Sequence, residues 1–288
     1  MIRMLALHVN RRILVLAYGL SVLIGLALVL MSTFVWPGYN SHPDFDNMLV
    51  LSLIIMLIPP SILDMMNRRW KRAVDSKLPE FIRDIADSQK TGMAFTKAIE
   101  HSARLEYGQL SKELRRVVAL MTWGHPYTEA LDEMAKRIDT PLVYRTVALL
   151  SEVGHSGGNL HEILDGIYSH IREVQDMERD RMRQMSPYVM VIYASFGVYI
   201  FVVIVLFLTF FSQIQAVIKA GAPFGSNINP QVYYIWFFHM SVIESILAGF
   251  IAGKMSEGVL VAGLKHVLTL LILSMLIFTL VIQPTIIS

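Results

Sequence analysis

Three places in the chain carry residue types that could do chemistry, and the first resembles a phosphate-binding loop. The segment from Ala248 to Met255 contains Gly253 followed by Lys254, the order that such a loop uses to hold nucleotide phosphates. However, Ala248 stands where the first glycine of that motif belongs, and Met255 replaces the serine or threonine that would bind magnesium. The segment also ends an apolar stretch of membrane-spanning length. The sequence therefore predicts neither nucleotide hydrolysis here nor an enzyme.

The second place is a possible metal site around His161. A zinc-protease helix needs a second histidine four residues after the first, and Asp165 occupies that position after His161 and Glu162. His155 and His170 do not complete the motif by their spacing. The chain has no cysteine, which excludes disulfides and thiolate ligands. We therefore expect no metal site and no cofactor.

The third place is Glu244, which lies about twelve residues into the apolar segment 232–252. An acid near the centre of a bilayer is costly and is therefore a functional candidate. An ion path would need partners, but the apolar segments contain no lysine or arginine in their cores, and the nearest polar neighbours are His239, Ser241 and Ser245. We expect one hydrogen bond from protonated Glu244 to a neighbouring helix. A small-molecule or ion transporter that uses Glu244 is the alternative.

These residues belong to a chain with the composition of a membrane protein. Apolar residues make up 54% of it, and the mean hydropathy of +0.51 exceeds that of ordinary soluble domains. Five stretches are long enough to cross a hydrocarbon core of about 30 Å. They are Ile13–Trp36, Asn47–Leu63, Pro187–Phe211, Val232–Ala252 and His266–Ile287. The first is too long for a signal peptide, and no cleavage site follows it. The sequence predicts an all-α integral membrane protein with about five transmembrane helices.

The distribution of lysine and arginine predicts the orientation in the membrane. Of 25 such residues, 19 lie between Asp64 and Ser186, whereas the loop 37–46 has none and the loop 212–231 has only Lys219. Positive charges near helix ends stay on the cytoplasmic side. We therefore expect a multi-pass protein of the cell membrane with a cytoplasmic N-terminus, a cytoplasmic segment 64–186 and an extracytoplasmic C-terminus. The predicted domains are residues 1–63, 64–186 and 187–288.

The segment 64–186 opens helical hairpins three times with nearly the same phrase. In each copy a glycine is followed by an apolar residue three positions on, then by another apolar residue four further with an acid beside it. The copies begin at Gly92, Gly124 and Gly157, 32 and 33 residues apart. This repetition predicts one turn-to-helix transition used three times. The turn positions would be Gly92, Gly124, Gly157, Gly158 and Asn159.

Apolar stripes at helical spacing predict six helices with short connections in this segment. Pro79 and Pro141 would each occupy the first position of a helix. Thr140, directly before Pro141, would cap the helix that begins there. The repeated glycine lies between helices rather than within them, which favours a closed six-helix bundle over a peptide-binding solenoid. The bundle would be inserted between the second and third membrane helices. A membrane-anchored helical-repeat receptor stays an alternative.

The charges of the segment 64–186 indicate which partners it has. It holds 19 acidic residues against its 19 basic ones, so a general nucleic-acid footprint is not expected. Arg68, Arg69, Lys71 and Arg72 directly follow the second membrane stretch, where anionic lipid headgroups attract cations. The sequence therefore predicts contact with membrane lipids and no binding of nucleic acid.

Six short phrases in order resemble one known family. They are Leu78 to Ala86, Tyr107 to Arg116, Trp123 to Leu131, Ser156 to Leu160, Pro187 to Tyr193, and Gly253 to Gly258 with Gly263 to His266. Together they resemble the F-type domain of type II secretion and type IV pilus platform proteins, and most nearly its archaeal branch, which includes the archaellum platform. The resemblance covers roughly Arg68 to His266 and identifies the chain as a member of the single-domain, half-size form.

The resemblance implies a non-enzymatic inner-membrane platform on which a cytoplasmic hexameric ATPase acts while pilin-like subunits are lifted into a filament. By analogy, the ATPase would contact basic residues of the cytoplasmic body, namely Arg68, Arg69, Arg72, Arg115 and Arg116. Full-size platforms carry two such bodies, so we expect this chain to pair with a second copy or with a separate platform subunit, as in tight-adherence pili. The resemblance leaves open an archaellum, an archaeal pilus or a tight-adherence-like pilus.

Overall fold

A computed structural model describes residues 11–35, 43–153, 160–211, 213 and 230–284. Regular structure in these ranges is helical throughout, with no strand among the described residues. The elements are α1 (Arg11–Val35), α2 (Pro43–Lys90), α3 (Phe95–Ser102), α4 (Gln109–Thr122), α5 (Tyr127–Ile138), α6 (Pro141–Val153), α7 (Leu160–Val205, continued by a π-helical Leu206–Phe211), α8 (Pro230–Glu257), a 3-10 turn (Leu260–Gly263) and α9 (Leu264–Ile277, continued by a π-helical Phe278–Ile282).

The chain divides into two compact units, and both boundaries fall inside long helices. We call Met66–Arg181 the polar unit, and Arg11–Met65 together with Met182–Ser288 the membrane unit. The boundaries interrupt α2 and α7. The division into domains at 63/64 and 186/187, with a cytoplasmic bundle between them, remains a prediction of the sequence.

The polar unit packs its helices around one apolar core. Each copy of the repeated phrase has a second apolar residue, and all three of these residues are fully buried. They are Ile99, Leu131 and Leu164. They join side chains from α2 and α4, such as Phe81 and Leu114, in a single cluster. Each helix therefore contributes one apolar stripe to a common interior, which is the arrangement that amphipathic helices favour.

Two of the predicted turn glycines adopt backbone conformations that other residues rarely tolerate. Gly92 and Gly124 have φ of 84° and 94°. After α4, the Gly124 N–H donates to the carbonyl of Met121 at 3.0 Å, and the His125 N–H donates to that of Leu120 at 3.2 Å. These two bonds form the glycine-terminated helix end known as a Schellman motif. Gly157, Gly158 and Asn159 lie outside the described residues.

The prediction that a helix begins at Pro79 is wrong, because α2 continues unbroken from Pro43 to Lys90. A proline inside a helix removes one backbone hydrogen bond and costs about 3 kcal/mol. Here the side chains around it offset that cost, since Leu78 and Phe81 are at most 1% exposed and extend the buried stripe begun by Val74. Packing thus overrides the local signal of the proline. The start of α6 at Pro141 is confirmed.

Four helices are long and apolar enough to cross a membrane. They are Phe45–Lys90, Leu160–Phe211, Gln231–Glu257 and Leu260–Ile282. The charged run that starts at Arg68 limits the apolar part of the first to its N-terminal portion. α1 contributes a shorter apolar stretch, Tyr18–Met31, among the described residues. The chain is therefore an α-helical membrane protein with four candidate spans, and a fifth span at Ile13–Trp36 stays a prediction.

Small side chains bring α8 and α9 unusually close together. Ser241, Ser245, Gly249 and Gly253 recur every four residues along one face of α8. A methyl group added to Gly249 would overlap the backbone of Val267, and one added to Gly253 would overlap that of Gly263. The Ser241 and Ser274 hydroxyls hydrogen-bond across the pair at 2.6 Å. The two helices thus pack backbone against backbone, as small residues permit in membranes.

Candidate partner-binding surface of the polar unit

The four basic residues that follow the second membrane stretch on α2, Arg68, Arg69, Lys71 and Arg72, differ in their surroundings. Arg69 and Arg72 are exposed, and Arg68 is half-buried. Lys71 instead belongs to the fold, because its Nζ donates to the Asp139 carbonyl at 2.7 Å and lies 3.1 Å from the Asp139 Oδ2. Asp139 ends α5 with a φ of 55°, so this ion pair stabilises a conformation that L-residues otherwise adopt rarely. Arg69 and Arg72 are therefore the two arginines of this group that are exposed to solvent.

One turn further along α2, Asp75 joins three parts of the polar unit. The Thr140 hydroxyl donates to the Asp75 Oδ1 at 2.7 Å, while Thr140 Oγ1 accepts the N–H of Val143 at 3.3 Å and so caps α6. The Gln175 amide of α7 donates to the Asp75 carbonyl at 2.7 Å. Burial raises the pKa of the Asp75 carboxyl to about 6, although the Thr140 hydrogen bond and the charge of Lys71 act in the opposite direction. This cluster is structural.

Arg115 and Arg116 are both exposed on α4, but their surroundings differ. Arg116 donates to the Oε1 of Glu113 at 2.8 Å, and Arg137 of α5 donates to the other oxygen of Glu113 at 2.8 Å. The Glu113 side chain is only 7% exposed. Arg115 makes no ion pair or side-chain hydrogen bond within the described part of the chain. Arg116 therefore helps to neutralise a buried carboxylate, whereas the charge of Arg115 is uncompensated.

The sequence analysis did not identify two features of α4. Glu113 and Arg137 are 24 residues apart, so no local sequence pattern predicts their ion pair. Trp123 follows the last residue of α4 and is 83% exposed. The spacing of apolar residues in α4 predicts this exposure, because Leu110, Leu114 and Val117 define a buried face and position 123 lies outside that face.

Glu244 is half-buried on α8 and lacks the expected hydrogen bond to another helix, at least among the residues that the structure describes. Its neighbours join the helices instead. His239 lies 3.1 Å from the Asp46 carboxylate of α2, and the Tyr199 hydroxyl of α7 donates to the Phe237 carbonyl at 3.1 Å. Packing of the membrane unit therefore depends on other polar side chains than Glu244.

The two remaining chemical candidates take structural positions. His161 pairs with Asp165 at 3.3 Å, and no group of three metal-binding side chains occurs among the described residues. The segment from Ala248 to Met255 is helical and belongs to the close contact between α8 and α9. A phosphate-binding loop requires exposed backbone N–H groups, which a helix interior does not offer.

Comparisons with known proteins agree with this architecture. Residues 81–208 match the family model described as Type II secretion system (T2SS), protein F. An uncharacterized protein of Methanocaldococcus jannaschii, MJ1286, is 27% identical over 229 residues, which cover 78% of this chain and 37% of that protein. No solved structure matches the chain. The matched region includes Arg115, Arg116 and Trp123, and it begins after Arg68, Arg69 and Arg72 of α2. Residues 81–208 are therefore similar to the domain of the type II secretion system protein F family.

Proposed function

We propose that the chain is a non-enzymatic inner-membrane platform of a machine that assembles type IV filaments, such as an archaellum, an archaeal pilus or a tight-adherence-like pilus. The observation that carries this proposal is the family match over residues 81–208, because the protein F family comprises inner-membrane platform proteins of secretion and pilus systems. The four candidate membrane helices support the same assignment.

In this proposal a cytoplasmic ATPase acts on the polar unit while pilin-like subunits leave the membrane. The exposed Arg69, Arg72 and Arg115 supply positive charge that an acidic face of the ATPase would complement, which speeds association and selects the partner. Arg68, Arg72 and Arg116 also have interactions within the chain. Arg115 is therefore the most informative position to change.

The platform would act with further partners. The chain spans 37% of the length of the relative from M. jannaschii, and we propose that it pairs with a second copy or with another platform subunit. Pilin-like subunits and membrane lipids complete the set of partners. The lysine and arginine distribution supports a cytoplasmic N-terminus and an extracytoplasmic C-terminus in the cell membrane.

A transporter is the second candidate, and one observation favours it. Glu244 is an acid in an apolar helix, and its side chain makes no hydrogen bond or ion pair with the described residues. Acids in membrane helices often mark ion paths. A transporter requires that Glu244→Gln abolish a flux measured in liposomes. The platform proposal requires that the same change leave recovery of the ATPase intact.

Co-purification from native membranes tests the proposed function. The wild-type chain, extracted in mild detergent, should recover a secretion-type ATPase that mass spectrometry identifies by its sequence. Arg115→Glu should reduce that recovery, because it reverses an uncompensated charge. Arg145→Glu is the matched control, since Arg145 is exposed on α6 and undergoes the same reversal. Arg116→Glu is unsuitable, because it also places an acid beside buried Glu113. Absence of any such ATPase from the wild-type sample would contradict the proposal.

A further inference from the structure

Trp123 is the most exposed large hydrophobic side chain in the part of the chain that the structure describes, at 83%. Single exposed apolar residues are common on protein surfaces. Tryptophan is nevertheless the residue type most enriched among the side chains that dominate protein interfaces, because its large ring fills a pocket. The position of Trp123 decides whether it is suited to such a role.

The backbone holds Trp123 in a fixed place at the end of α4. Its N–H donates to the Ala119 carbonyl at 3.1 Å, which continues the helix through position 123. The next two residues, Gly124 and His125, close the helix with their bonds to Met121 and Leu120. The backbone that carries the indole is therefore already ordered, and little conformational entropy of the backbone would be lost on binding.

Trp123 completes an exposed row on one face of α4. We call this row the α4 stripe, and its members follow one another at intervals of four, three and four residues. They are Lys112, Arg116, Ala119 and Trp123. The small side chain of Ala119 leaves space between the cations and the indole. Arg115 lies beside the stripe and adds its uncompensated charge. The surface thus combines a basic end with one large apolar anchor.

The neighbouring helix indicates what kind of surface fits the α4 stripe. α5 packs against α4 and exposes Glu129, Asp132 and Glu133. At the turn itself, His125 lies 3.0 Å from the Glu129 carboxylate. Asp132 pairs with Lys136 at 2.6 Å and Glu133 with Arg137 at 3.3 Å, so α5 presents both signs of charge and offers an anionic bilayer little net attraction. A protein surface can match both signs in neighbouring positions, so the mixed charge favours a protein.

We propose that the α4 stripe docks a protein partner that presents acidic side chains to Lys112, Arg115 and Arg116 and an apolar pocket to Trp123. This inference rests on the proposed function, in which that partner is the cytoplasmic ATPase. Trp123 is the anchor of the contact, and the arginines orient the partner. Contact of the indole with the bilayer is the competing outcome.

The test compares recovery of the ATPase that co-purifies with the full-length chain. Trp123→Ala should lower that recovery about tenfold or more, as expected for a central interface side chain. Tyr144→Ala is the matched control, because Tyr144 is an exposed aromatic residue of the same unit at 40% exposure. Loss of the exposed indole opens no cavity in the core, and an unchanged melting temperature in detergent verifies the fold of the variant.

A second measurement addresses the membrane. The chain has four tryptophans, so the fluorescence of wild type minus that of Trp123→Phe isolates position 123. In nanodiscs with brominated lipids, this difference signal should be unquenched, and adding the purified ATPase should shift it to shorter wavelength. Quenching by the brominated lipids would overturn the inference in favour of a membrane contact.

The outcomes separate this inference from the proposed function. If Trp123→Ala recovers as much ATPase as wild type, the α4 stripe is not the docking surface, although the proposed function stands. If wild type recovers no ATPase, the proposed function fails and the inference fails with it. If Trp123→Ala loses the ATPase while Tyr144→Ala recovers as much ATPase as wild type, the result supports both the inference and the proposed function.

Discussion

Phe95 and Tyr127, which occupy the same place in the first and second copies of the repeated phrase, contact each other edge to face. Their ring centroids are 5.3 Å apart and the rings are inclined at 83°. Four residues further on in each copy, Ile99 and Leu131 are fully buried. The repeat is therefore more than a sequence pattern, because equivalent residues of successive hairpins pack together at one site.

The ring contact should be measurable as a coupling energy. In a double-mutant cycle, Phe95→Leu and Tyr127→Leu should show about 0.5–1.5 kcal/mol of interaction in thermal or denaturant unfolding of the detergent-solubilised chain. Phe95→Leu combined with Tyr144→Leu is the control, since those two rings do not touch. Additive effects in the Phe95 and Tyr127 pair would show that the contact contributes nothing to stability.

Asp75 should make the polar unit less stable at neutral pH than at mildly acidic pH. Its pKa rises from 3.8 to about 6 on folding, so its contribution is fully present below about pH 4 and is lost as the pH rises to about 6. The loss is on the order of 2–3 kcal/mol. Asp75→Asn keeps an acceptor for Thr140 without the charge, and it should exceed wild type in melting temperature at pH 7.5 but not at pH 4.5. Equal differences at both pH values would refute this assignment.

Glu113 should contribute more to the stability of the polar unit than an exposed acid does. Glu113→Ala leaves Arg116 and the partly buried Arg137 without their shared carboxylate, and the loss of hydrogen bonds between charged groups costs about 1.5–3 kcal/mol. Glu129→Ala is the control, because an exposed pair such as His125 with Glu129 contributes about 1 kcal/mol or less. The measurement compares the melting temperatures of Glu113→Ala and Glu129→Ala in detergent with that of the wild type. Equal losses would contradict the buried role of Glu113.

Gly249 should not tolerate even a methyl group. Gly249→Ala would push the added carbon into the backbone of Val267 and separate α8 from α9, at a cost of about 1–3 kcal/mol. Gly197→Ala in α7 meets no atom within 4 Å and should be neutral or slightly stabilising, since alanine favours helices. Thermal stability in detergent distinguishes the variants. A Gly249→Ala protein as stable as wild type would exclude close packing of the two helices.

The sequence predicted those features that depend on local chemistry. Glycine at positions 92 and 124 has the positive φ that a turn after a helix requires, and Thr140 with Pro141 starts α6. Periodic apolar residues predicted buried positions such as Ile99 and Leu131, although Ile163 and Met177 of the stripe on α7 are exposed. These signals lie within a few residues of the structure that they specify.

Features that depend on distant partners could not be read in the same way. Pro79 has the local signature of a helix start, yet the surrounding core keeps α2 continuous. The carboxylate of Glu113 gains its significance from Arg137 on the next helix. Each of these outcomes is decided by tertiary packing, which overrides local propensity.

The most direct test of the platform assignment measures filament assembly in the source organism. Cells that lack this chain should retain their pilin-like subunits in the membrane fraction and yield none in the sheared filament fraction, and the wild-type chain should restore them. Normal amounts of sheared filaments without the chain would contradict the account.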